Sequence, residues 1–200
     1  MSILRYTLIT DGSSDKTLTS ILSWLLKQEL SGSDEVEPQW ADFRNLRNPP
    51  KSLLEKITLS LKLYPCDLLF VHRDAEKEPL ENRVKEINHA VAEAGINSTP
   101  VVCVIPVRML EAWLLFNETA IRQAAGNPNG KCKIQLPAMK QVENSSNPKS
   151  QLIKLLETAS ELKGRNLKKF NSRENIHRLA TFITDFSPLR GCLRSLICYI

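Results

Sequence analysis

The sequence predicts an α/β fold: a mainly parallel four-stranded sheet flanked by helices, with a helical extension at the C-terminal end. Three observations predict it. Strand-like apolar runs recur at residues 3–10, 68–71 and 100–105, and the latter two are continuously apolar, as in strands buried on both faces. The segments between them carry apolar residues at helical spacing. Strand and helix then alternate through the first 125 residues, which requires helical crossovers between parallel strands.

The first strand, ILRYTLIT, ends at Asp11-Gly12-Ser13-Ser14-Asp15. Gly12 permits a tight turn there, and Ser13 or Ser14 can cap the helix that follows. Leu18, Ile21, Leu22, Leu25 and Leu26 give that helix one apolar face. A second strand is expected within residues 36–43, placed at the sheet edge by Pro38. Pro49 and Pro50 are read as the first turn of the next helix, with Leu53, Leu54, Ile57, Leu61 and Tyr64 on its inner side. After the third strand, Pro79 opens a helix that Gly95 closes. Pro106 ends the fourth strand, and residues 108–125 read as one helix.

The chain changes character at residue 126. A turn-rich stretch, 126–150, is long for a loop inside a compact domain. Helical spacing returns with Leu152, Leu155 and Leu156, and again with Ile176, Leu179 and Ile183. A last short helix is expected around Leu193, Leu196, Ile197 and Tyr199. The expected organisation is an α/β domain over 1–125, with a long loop and helical extension over 126–200 packed on it.

With 200 residues, 42% hydrophobic and 24% charged, the composition is that of an ordinary globular protein. No apolar run reaches the length of a membrane span. The N-terminus lacks a signal-peptide pattern. The five cysteines include no CxxC pair and suit reduced, buried thiols. These features lead to the expectation of a cytoplasmic protein. The net charge of +5 is uneven: residues 1–110 carry 13 Lys and Arg against 15 Asp and Glu, whereas residues 111–200 carry 14 against 7. An acidic front half and a basic back half suit an anionic partner that also needs a metal.

The candidate chemistry lies where strands end. Asp74 and Glu76 stand one residue apart at the end of the third strand, and alternate side chains of an extended chain point the same way. At about 4 Å their charges repel by about 4 kcal/mol at an effective dielectric near 20, a cost that a divalent cation removes. Asp11 follows the first strand and Glu111 the fourth, so all four carboxylates are expected at one sheet edge, where open α/β sheets bind ligands. The Gly12-Ser13-Ser14 turn could offer backbone N–H groups to a phosphate. Oxygen donors without a histidine cluster suit Mg²⁺ or Mn²⁺. Arg73, Arg108, Lys149, Lys168 and Lys169 are candidate contacts to nucleic-acid phosphates. His72 is read either as facing the site or as a satisfied core histidine.

The pattern LIT-DGSSD-KTL, then LLFVHRDAE, then VIPVRMLEAWLL resembles the TOPRIM fold of topoisomerases, primases and OLD-type nucleases, a Rossmann-like fold. More closely, it resembles an uncharacterised bacterial TOPRIM-like family met in genomic islands and phage-defence loci. The resemblance implies a metal-dependent nuclease. It gives Asp11 the place of a general acid/base or ligand, Asp74 and Glu76 that of magnesium ligands, and Glu111 an acidic place of the closer family. Two positions depart from the family pattern: Asp11 stands for the usual Glu, and Glu76 for the usual Asp. These changes are compatible with a displaced metal or with lost activity. The alternative expectation is therefore a non-catalytic module that binds nucleic acid or nucleotide and partners an ATPase.

Overall fold

The computed structural model describes residues 3–30, 35–75, 78–106, 109–190 and 196–199. It divides into two compact units, Met1–Val107 with Ser195–Ile200, and Arg108–Arg194. The sequence had placed a boundary at 125.

The first unit is an α/β fold in which four parallel strands alternate with helices, consistent with a Rossmann-like fold. Its strands are β1 (Ile3–Ile9), β2 (Glu35–Trp40), β3 (Leu68–His72), β4 (Val101–Ile105) and β5 (Leu196–Tyr199), in the order β2-β1-β3-β4-β5. The first four pair in parallel. β5 runs antiparallel to β4, with Cys103 opposite Cys198. This corrects the expected terminal helix, because a short apolar run fits either structure until it finds a partner. β2 is an edge strand, where Pro38 costs no central ladder bond.

Helices α1 (Leu18–Glu29), α2 (Leu53–Leu63) and α3 (Leu80–Glu93) supply the crossovers. Every residue of β4 is buried, as are the last four of β3. Ile57 of α2 and Ile87 of α3 pack in one core cluster with Leu69, Val71 and Ile105. Gly95 terminates α3 at a φ of 64°, a conformation that glycine adopts without strain.

Pro49 and Pro50 lie before α2 rather than in its first turn. The helix starts instead at a capping box: Ser52 Oγ accepts from Glu55 N at 3.1 Å, and the Glu55 carboxylate accepts from Ser52 N at 3.3 Å. Ser52→Ala should lower stability by about 1 kcal/mol, measured by urea denaturation; an unchanged midpoint would show the box to be idle.

Tyr6, fully buried in β1, donates its hydroxyl to Thr19 O at 2.9 Å and shares a 2.8 Å hydrogen bond with Ser23 Oγ. Burial pushes the phenol up to about 12. The unfolded chain therefore loses this proton from about pH 10 upward, whereas the folded chain keeps it to about pH 12. This contribution to stability is whole below pH 10 and falls by about 2–3 kcal/mol across that window. Tyr6→Phe should remove that component of the alkaline stability loss, as read by denaturation at stepped pH.

The second unit contains α4 (Glu118–Ala124), α5 (Pro148–Ser160), α6 (Gly164–Lys168), α7 (Ser172–Phe182) and α8 (Ser187–Arg190). The single helix expected over 108–125 is instead a 3₁₀ turn, Leu110–Leu114, followed by α4. Asn117 separates them: its side chain accepts from Ala120 N at 2.9 Å and starts the new helix. Inside the expected loop 126–150 lies another 3₁₀ turn, Met139–Asn144, and α5 already begins at Pro148 with Asn147 as its cap. Trp113, Leu114, Ile121, Leu152, Leu156 and Leu179 are buried in this unit.

Candidate functional site

β1 and β3 are neighbours with Ile9 opposite Val71, so their carboxyl ends lie side by side. Asp11 sits two residues beyond Ile9, and Arg73 two beyond Val71. The two close as an ion pair through Arg73 Nη1 and Asp11 Oδ1. The other side of the Arg73 guanidinium meets Glu86 Oε1 of α3 at 2.9 Å. Lys56 of α2 adds a second cation, with its ammonium 3.9 Å from Asp11 Oδ1 and donating to Thr10 O at 3.2 Å. Asp11 is thus gathered to the sheet edge as the sequence predicts, but its charge is answered by Arg73 and Lys56. Arg73 is bound to two carboxylates of its own unit.

The turn after β1 is organised by Asp15. It lies in a 3₁₀ turn, Ser13–Thr17, and is buried. Asp15 Oδ2 accepts from Gly12 N at 2.9 Å, and Oδ1 accepts from Ser14 Oγ at 3.1 Å. This corrects three expectations. The Gly12 N–H is already used and is not offered to a phosphate. Gly12 has φ −132° and ψ 166°, extended backbone that does not require glycine. Ser13 is exposed and caps nothing through its side chain.

On β3 and just beyond it, His72 and Asp74 face the same place as Asp15. The His72 ring is fully buried, and its Nδ1 lies 3.0 Å from Val104 O of β4. A carbonyl oxygen can only accept, so Nδ1 carries the hydrogen. His72 Nε2 then points toward Asp74 Oδ1 at 3.5 Å and Asp15 Oδ2 at 3.8 Å. Both distances are too long for a hydrogen bond, and Nε2 has no hydrogen-bond partner. Burial lowers the His72 pKa, against the opposing pull of the Asp15 charge. The reading of His72 as a satisfied core histidine therefore fails at one nitrogen.

The sequence left Asp15 without a role. The signal that could have found it is its place four residues after Asp11, inside the turn that leads to α1. Two of the expected site residues, Glu76 and Arg108, lie outside the described residues.

Glu111 belongs to the second unit, in the 3₁₀ turn Leu110–Leu114, and is buried. Its carboxylate stands 3.4 Å from Lys149 Nζ, in the first turn of α5. Glu111, expected as an acidic site group, and Lys149, expected as a phosphate contact, thus pair with each other. Lys168 and Lys169, at the end of α6, are exposed.

Among the described residues, no three of His, Cys, Asp and Glu are already drawn together as a metal-holding group. The Mg²⁺ that the resemblance implies finds Asp11 neutralised by cations. Near Asp74 it finds a buried imidazole nitrogen, His72 Nε2, that has no hydrogen-bond partner and faces the carboxylates of Asp74 and Asp15. The donor chemistry near Asp74 fits a divalent ion.

Fold and strand-end geometry together define an α/β protein of Rossmann-like architecture with an acidic cluster at the carboxyl end of its sheet. Comparison of the chain with protein-family models, with curated proteins and with solved structures finds no match in any of the three. No helix among the described residues is long and apolar enough to cross a membrane.

Proposed function

We propose that the carboxyl edge of the first unit's sheet is a TOPRIM-type site for metal-dependent phosphoryl transfer, with cleavage of nucleic-acid phosphodiesters as its reaction. The observation that carries this reading is the placement of Asp11 and Asp74 just beyond the ends of two adjacent parallel strands, β1 and β3. That is the place where open α/β sheets bind ligands. A bound Mg²⁺ or Mn²⁺ supplies Lewis-acid polarisation of the phosphate and a more acidic water. Asp74 would hold the ion. Asp11, fixed in position by Arg73, accepts or returns the proton of the attacking water. Lys56 and Arg73 keep the edge from accumulating negative charge as a phosphate approaches. The excess of Lys and Arg after residue 110 supports an anionic, polymeric substrate.

The test is incubation of the protein with DNA and RNA in Mg²⁺, in Mn²⁺ and in excess chelator. Cleavage that requires the metal is expected; metal-independent cleavage, or none on either polymer, contradicts the reading. A second reading has a specific observation in its favour, the double cationic engagement of Asp11. With that carboxylate held as a structural partner, the unit would be a binding module for nucleic acid or nucleotide, working beside an ATPase. Tight nucleic-acid binding unaffected by chelator, without cleavage, would select it.

A further inference from the structure

We propose that His72 Nε2, Asp15 and Asp74 form a mixed nitrogen–oxygen seat that takes a divalent transition ion, Mn²⁺ or Co²⁺, in preference to Mg²⁺. The inference rests on the proposed metal site at Asp74 and names its ion and its further ligands.

Three facts carry it. First, the Val104 carbonyl fixes the hydrogen on Nδ1, so a neutral ring presents its lone pair at Nε2. A backbone carbonyl on the far nitrogen is the usual support of a metal-ligating histidine, since it sets tautomer and ring orientation together. Second, the groups facing that lone pair are carboxylate oxygens, Asp74 Oδ1 at 3.5 Å and Asp15 Oδ2 at 3.8 Å. Lone pair against carboxylate is repulsive in a buried place unless something positive lies between. Third, the spacing is close to what an ion needs. Donors about 2.1 Å from a shared ion stand about 3.0–3.4 Å apart, depending on geometry. A contraction of a few tenths of an ångström would close the seat.

Asp15 keeps lone pairs for an ion while accepting from Gly12 N and Ser14 Oγ. Those two bonds hold its carboxylate in place, as outer partners of ligands do. The nitrogen donor decides the ion. Imidazole is a better ligand for first-row transition ions, from Mn²⁺ through Co²⁺ onward, than for Mg²⁺, which prefers an all-oxygen shell and gives up water reluctantly. The inference replaces the all-oxygen set expected from the sequence with one that includes a buried imidazole.

The experiment is pulsed electron paramagnetic resonance of the full-length protein loaded with Mn²⁺, without nucleic acid, paired with Mn²⁺ titrations in the presence of Mg²⁺. The expected result is a bound Mn²⁺ with hyperfine coupling to an imidazole ¹⁴N, not displaced by tenfold excess Mg²⁺. His72→Gln should lose the coupling. His72 is buried and its replacement disturbs packing, so Asp15→Asn is the second variant. Asparagine still accepts from Gly12 N, so the turn is kept, and Mn²⁺ affinity should fall by more than about tenfold. Bound Mn²⁺ without nitrogen coupling, ready displacement by Mg²⁺, or unchanged affinity in Asp15→Asn would overturn the inference. Cleavage supported by Mg²⁺ with no nitrogen coupling would sink this seat and leave the nuclease reading standing. Nitrogen-coupled Mn²⁺ without any cleavage would do the reverse.

Discussion

Asp74→Ala should abolish metal-supported cleavage, with a loss of more than about 100-fold. Removing even an outer partner of a metal ligand costs about 10–100-fold, so removing a ligand costs more. Asp74 lies just past β3, with its side chain about one-fifth exposed, and its backbone oxygen accepts from Arg83 Nε at 3.1 Å whatever the side chain. The truncation therefore leaves the strand end anchored to α3. The loss should persist at saturating nucleic acid, because the side chain would hold the ion that polarises the reacting phosphate rather than dock the polymer. Initial-rate measurements across substrate concentrations check this. Equal rates for the variant and the wild type would remove Asp74 from the chemistry.

Leu69→Ala should destabilise the protein by about 2–5 kcal/mol, the range for deleting a buried leucine side chain. Leu69 is the most enclosed kind of position. It lies on β3, paired with Thr7 of β1 on one side and Val101 of β4 on the other. It is 0% exposed and belongs to the same cluster as Ile57 and Ile87. Its side chain leaves the sheet toward the face covered by Ile57 of α2 and Ile87 of α3, so a cavity there is enclosed between the sheet and two packed helices. Urea denaturation measures the effect; a loss under about 1 kcal/mol would show that this cluster is not the centre of the unit's core.

The strands at the centre of the sheet were legible because they are buried on both faces. Leu68 to Val71 and Val101 to Ile105 leave no polar position that could belong to a half-exposed helix. Pro38 likewise announced the edge strand β2. The element at 196–199 was not legible, since its apolar residues acquire a strand's meaning only from β4 beside them. The break at Asn117 was written in the sequence as a capping residue followed by Glu118, but the apolar spacing across 108–125 masked it.

The site divides in the same way. Asp11 and Asp74 could be placed because a parallel sheet brings successive strand ends to one edge. The role of His72 could not, because it depends on which carbonyl of β4 meets Nδ1, a matter of register between strands thirty residues apart. The engagement of Asp11 was hidden for a related reason: Lys56 reaches it from α2, and Arg73 is aligned by Glu86 from α3.

The most direct test of the account is a crystal structure of the protein soaked in Mn²⁺, read by anomalous scattering. A peak beyond the end of β3, with an Asp74 oxygen at about 2.1–2.2 Å from it, is the predicted result. Saturating Mn²⁺ with no peak at that strand end, or a peak bound elsewhere with Asp74 turned to solvent, would contradict the account.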